Sequence, residues 1–216
     1  MSYNLDKEDE KRIIELAKKY GIEKVILFGS RARGDNRPDS DIDLALLGGM
    51  GLKVRFNDED YYNEKYHIIF LDDELKMGFR DSINKDGIVI YEDKIDYGRR
   101  YQLFSEALNS FEQAMEQRAY SLDGGVEAFQ NCFKQSWKLL KVFLESQGES
   151  FDKAVSPSVV IEVASRRGII RDSLVWKKIL DTYDEGNNVE DKLVDMKTEC
   201  LRVFHDLKSR MDSNER

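Results

Sequence analysis

Two short stretches carry residue types that could do chemistry on a phosphate. In Leu27-Phe28-Gly29-Ser30-Arg31-Ala32-Arg33-Gly34, an apolar run ends abruptly in Gly-Ser. Glycine lets a backbone approach a ligand closely, and serine sets a hydroxyl beside the free N–H groups of a helix start, so Gly29 and Ser30 read as a phosphate cradle. In Ser40-Asp41-Ile42-Asp43-Leu44, two carboxylates stand two residues apart. On a strand such residues share a face, roughly 6–7 Å from one another, and they repel unless a cation sits between them. A hard, oxygen-seeking divalent ion such as Mg2+ resolves that repulsion and also binds phosphate.

The elements that must position these residues follow from the pattern of apolar positions. Residues 6 to 20 place Ile13, Ile14, Leu16, Ala17 and Tyr20 on one helical stripe, with Asp6 as cap and Gly21 as stop. A strand at 23–28 runs into the Gly-Ser turn, and a second strand covers 41–47. Leu52 to Phe56 alternates like a short strand, and 57–64 reads as an acidic loop. Lys65 to Leu71 is a further strand with His67 and Ile69 on one face, followed by a helix at 73–85 and a strand at Ile88–Tyr91. Together these predict a small mixed α/β unit, a twisted sheet with helices on one face. After residue 97 the strand signals stop. Helices are expected at 97–118 and 126–146, with a turn at Asp123-Gly124-Gly125 between them. Further helices are expected from Ser156-Pro157 to Gly168, after Asp172, and at 188–213, an antiparallel bundle. The fold class is therefore α+β, with a first domain at 1–96 and a helical one at 97–216.

Composition bounds the partners. The net charge is −8, with 16 Lys/Arg against 22 Asp/Glu up to residue 96 and 18 against 20 beyond it, so neither part is an extended nucleic-acid platform. Cys132 and Cys200 lack a Cys-x-x-Cys spacing and read as two buried free thiols. No apolar run approaches the roughly 18 residues that span a bilayer and no signal-peptide core is seen, so a cytoplasmic chain with no membrane partner is expected.

The first constellation resembles the active-site signature of the DNA polymerase beta superfamily of nucleotidyltransferases, and most closely its small bacterial branch, the minimal nucleotidyltransferases. The match lies in Gly29-Ser30-Arg31-Ala32-Arg33-Gly34 and Ser40-Asp41-Ile42-Asp43-Leu44. The resemblance implies that Asp41 and Asp43 hold Mg2+ or Mn2+ and that Gly29 and Ser30 bind the phosphates of a nucleoside triphosphate. Arg31 and Arg33 are candidates for neutralising pyrophosphate, or else solubilising surface arginines. The second half resembles the helical substrate-binding or HEPN-type partners of these enzymes, through Arg100-Tyr101 to Ala107-Leu108, Phe129 to Leu144, and Ser156-Pro157 to Ile170. That resemblance implies a fusion in which the helical part walls the cleft and presents the acceptor, and it leaves open a homodimer through that part.

Two departures from the family pattern bear on activity. A third carboxylate is usual on the strand facing the Asp pair, as general base or second-metal ligand; here His67 stands in its place, and Asp72 falls on the opposite parity at the strand's end. An imidazole accepts a proton but is a poorer Mg2+ ligand than a carboxylate. The Arg and His of RNA-cutting HEPN domains are absent from Lys178 to Asn188, so ribonuclease activity is not expected; Tyr183, by resemblance, is a candidate for being nucleotidylated. The leading expectation is a nucleotidyltransferase that moves a nucleoside monophosphate from ATP or another NTP to a hydroxyl of a protein or small molecule, an aminoglycoside-like acceptor included. The alternative is a catalytically lapsed, nucleotide-binding toxin–antitoxin-like fusion.

Overall fold

The computed structural model describes residues 3–48, 66–72, 75, 77–116, 122–184 and 189–212. Helix α1 (Lys7–Lys19) starts where the Asp6 carboxylate accepts the Glu8 amide at 2.8 Å, with acidic residues in its first turn and Lys18 and Lys19 in its last. These charges suit the two ends of the helix dipole. Strand β1 (Ile22–Phe28) opens at Gly29 into the five-residue helix α2 (Gly29–Arg33), which stops at Gly34. Next come β2 (Ile42–Gly48), β3 (Tyr66–Phe70), α3 (Met77–Asp86) and β4 (Ile88–Glu92). The strands form one sheet in the order β3-β2-β1-β4, antiparallel except for the parallel pair β2 and β3. The expected strand at 52–56 and loop at 57–64 lie outside the described residues.

The expectation of helices on one face is corrected. On one face Val25 and Leu27 of β1, with Ile42, Leu44 and Leu46 of β2, pack under Ile13 and Ala17 of α1. On the other, Ile26, Phe28 and Ala45 pack under Ile83 of α3, with Leu71 and Ala154. The reason is legible in β1 itself: four consecutive residues from Val25 to Phe28 are buried, and a continuous apolar strand needs cover on both faces. Ala154 comes from a distant part of the sequence. The chain divides into two compact units, Met1–Lys94 with Phe151–Ser156, and Ile95–Ser150 with Pro157–Arg216.

The second unit is helical: α4 (Tyr97–Glu116), α5 (Leu122–Ser146), α6 (Pro157–Arg166), α7 (Ser173–Asp184) and α8 (Val189–Asp212). Its core is aromatic, with Phe104, Phe111, Phe129, Phe133, Trp137, Trp176 and Phe204 all fully buried. Phe204 takes edge-on contacts from Phe104, Phe111 and Trp176 at centroid distances of 5.6–6.3 Å. Helix α5 includes Gly124 and Gly125, so the turn expected there is corrected. Glycine costs about 0.5–1 kcal/mol in a helix interior, and the buried stripe from Phe129 to Leu144 outweighs it.

Tyr183 is also buried, its ring 4.8 Å from that of Phe133, so it is not a surface acceptor in this fold. Cys132 and Cys200 are free and buried, as expected. Among the described residues no helix is long and apolar enough to cross a membrane.

Candidate active site

Phe28 of β1, Asp43 of β2 and His67 of β3 are paired in one row across three strands. Side chains in register on neighbouring strands share a face, which is why parity in the sequence was enough to bring Asp43 and His67 together. His67 Nδ1 lies 3.0 Å from Asp43 Oδ1. A carboxylate only accepts, so Nδ1 carries the proton and donates, and the Nε2 lone pair is left to take a proton or a ligand. The imidazole is held by rings as well, with Phe28 at 6.3 Å and Phe79 of α3 at 6.0 Å between centroids.

Gly29 does two things here. Its φ is +72°, in the left-handed region. A Cβ built on it would fall 2.1 Å from Asp43 Oδ2 and 2.9 Å from its Cγ, so the half-buried carboxylate lies directly on the glycine backbone. Asp43 is thus wedged between the Gly-Ser turn at one oxygen and His67 at the other. Ser30 closes the turn, its carbonyl accepting the amides of Gly34 at 2.8 Å and Asp35 at 3.1 Å.

Arg31 is turned to the backbone. Its guanidinium donates to the carbonyls of Ser40 at 2.7 and 3.1 Å, Asp41 at 3.2 Å and Asn4 at 3.5 Å. It therefore fixes the stretch that carries Asp41, a role that spacing did not reveal because the two segments are nine or ten residues apart and meet only through the fold. The Ser40 hydroxyl accepts the Arg37 amide at 2.9 Å, so this serine shapes the same loop. Asp41 itself is exposed, immediately ahead of β2. Arg33 points elsewhere, 3.3 Å from Asp35 and 3.8 Å from Asp86 at the end of α3.

Asp72 does not join this group. It is 3% exposed and its Oδ2 accepts the Gly48 amide at 2.7 Å, at the far end of β2. Five residues separate Asp43 from Gly48, about 17 Å of strand. Among the described residues no three His, Cys, Asp or Glu side chains gather in metal-binding reach. The donor chemistry nonetheless fits a hard divalent ion: Asp41 and Asp43 would supply oxygen, and such an ion completes its shell with water and phosphate. Sequence reasoning missed Phe79, which carried no signal beyond lying on a helix, and Asp86, which with Gly87 signalled only where that helix stops.

Residues 11–96 match the family described as polymerase beta, nucleotidyltransferase, and residues 99–193 match nucleotidyltransferase substrate binding protein like. No curated protein matches the sequence. Among solved structures, a toxin–antitoxin complex with AMP-PNP is 20% identical at a TM-score of 0.32 over 40% of this chain and 75% of its own. A mutant of the toxin–antitoxin MntA-HpeT is 18% identical at 0.31 over 50% and 89%. Similarities this low bear no weight on activity. The chain joins a polymerase beta-type nucleotidyltransferase domain to a nucleotidyltransferase substrate-binding-like domain.

Proposed function

We propose that the chain transfers a nucleoside monophosphate from an NTP, ATP in the first instance, to a hydroxyl of a protein or small-molecule acceptor. The observation that supports this is the wedging of Asp43 between the Gly29 turn and His67, which brings a carboxylate, a Gly-Ser turn and an imidazole together. In the reaction the acceptor oxygen bonds to the α-phosphorus, the bond from that phosphorus to the bridging oxygen breaks, and pyrophosphate leaves. The acceptor proton passes to His67 Nε2, and Asp43 stabilises the imidazolium through Nδ1. Gly29 and Ser30 hold the triphosphate. Arg31 keeps Asp41 in place through the Ser40 and Asp41 carbonyls, and Arg33, at the end of α2, would have to leave Asp35 and Asp86 to meet the departing pyrophosphate. A divalent cation held by Asp41 and Asp43, Mg2+ or Mn2+, would neutralise charge developing on the phosphates.

A second reading, nucleotide binding without turnover, is favoured by one observation: a histidine stands where the family places an acid. ATP labelled at the α- or γ-phosphate separates the two. Transfer moves only α-label to the acceptor and releases pyrophosphate. Binding of ATP with no pyrophosphate, whichever of Mg2+ and Mn2+ and whichever protein or aminoglycoside acceptor is supplied, contradicts the transferase reading.

A further inference from the structure

Helix α3 bears Phe79, which faces His67, and Ile83, which is fully buried on the same face of the sheet. These residues are four apart and share one side of the helix. The adjacent side bears Arg80 and Asn84, again four apart, and both are engaged by a single residue of the segment Phe151–Ser156, which lies between α5 and α6 in the chain. Arg80 donates to the Ala154 carbonyl at 2.8 Å, and the Ala154 amide donates to the Asn84 side chain at 2.8 Å. Both polar groups of one peptide residue are thereby satisfied by a helix face, much as a neighbouring strand would satisfy them. Lys153 adds a cap, its ammonium 2.7 Å from the Gly87 carbonyl and 3.4 Å from that of Asn84, at the carbonyl end of α3. Ala154 is 2% exposed and packs with Ile83, Ile26 and Phe28. A fourth hold comes from Asp86, which faces Arg33 of α2.

We propose that Phe151–Ser156 is a strap that positions His67, acting through α3 and Phe79. The strap fixes the axial position of α3. That position decides where the Phe79 ring stands against the imidazole, and the imidazole in turn is bonded to Asp43. Phe79 is a positioning residue in this account, and Arg80, Asn84 and Lys153 set its place. The inference rests on the reading of His67 as part of the active site, but its test does not involve turnover.

The chain has two histidines, His67 and His205, so its imidazole NMR spectrum holds two sets of signals, assigned by His205→Gln. In Asn84→Ala, which removes the acceptor for Ala154, and in Lys153→Met, which removes the cap while leaving Ala154 in the core, the His67 signals shift and those of His205 stay. Lys153→Met serves where Asn84→Ala does not fold. Phe79→Leu shifts the His67 signals too, and in that background the strap substitutions add nothing. Unmoved His67 signals, with amide exchange at 153–155 accelerated, overturn the proposal. So does a strap-induced shift that persists in full with Phe79→Leu. Failure of nucleotidyl transfer with this coupling intact refutes only the reading of the activity.

Discussion

Gly29→Ala puts the construction of the site to a quantitative test. A non-glycine residue at φ +72° costs about 1–2 kcal/mol in the left-handed region. The added methyl would also fall 2.1 Å from Asp43 Oδ2, closer than real Cβ contacts come, so the carboxylate must move off the turn. Moving it lengthens the 3.0 Å bond to His67 Nδ1, a half-exposed interaction worth about 1 kcal/mol. The sum is about 2–3 kcal/mol, and for a unit of roughly 100 residues each kcal/mol lowers the melting temperature by about 4–8 °C. Calorimetry of the intact chain should show the transition of the nucleotidyltransferase unit falling by about 10–20 °C while that of the helical unit stays. Gly78→Ala is the control, because its Cβ would meet nothing within 4 Å and alanine suits the helix better. Adding Asp43→Ala to Gly29→Ala removes the clash but also the bond to His67, so the double variant should melt close to Gly29→Ala. A Gly29→Ala chain that melts like the wild type, or a double variant far less stable than Gly29→Ala, refutes the reasoning.

Other perturbations have distinct signatures. Arg31→Met leaves the Ser40 and Asp41 carbonyls without their donor, and amide exchange across 37–42 should accelerate; Arg31→Lys cannot span three carbonyls and should restore little of the protection. Asp72→Leu strands the buried Gly48 amide and should cost about 1–3 kcal/mol while leaving the His67 signals unchanged. Burial pushes the Cys200 thiol up to about 12 from its ordinary 9.0, and burial likewise raises Cys132 well above that value. A thiol whose value is raised on folding holds its proton longer in the native chain. Its stabilisation is therefore complete below pH 9 and lost as pH rises from 9 towards 12, so denaturant midpoints of the helical unit should be level up to pH 8 and decline above 9. Cys132→Ala with Cys200→Ala should flatten that decline.

Parts of this arrangement could be read from residue order alone. Asp43 and His67 share a face because strand side chains alternate, and both strands were visible as apolar runs. The Ser-Pro start of α6 and the Asp6 cap of α1 are local signals that the structure bears out. Long-range pairings were not legible. The contact of Gly29 with Asp43 depends on how closely β1 and β2 approach at their ends. The grip of Arg31 on the 40–41 backbone depends on a loop closing over α2. The strap at 151–156 joins the first unit from about 60 residues beyond its last strand, and no periodicity marks such a return. Gly124 and Gly125 misled for the opposite reason: a local turn signal yielded to the burial of an aromatic stripe further along the helix.

The most direct test of the central claim is a crystal structure with Mn2+ and a non-hydrolysable ATP analogue, read through the anomalous scattering of manganese. The account predicts a peak bonded to carboxylate oxygens of both Asp41 and Asp43, with the triphosphate on the Gly29-Ser30 turn. Bound nucleotide with its metal away from both aspartates, or a triphosphate seated elsewhere on the chain, would contradict it.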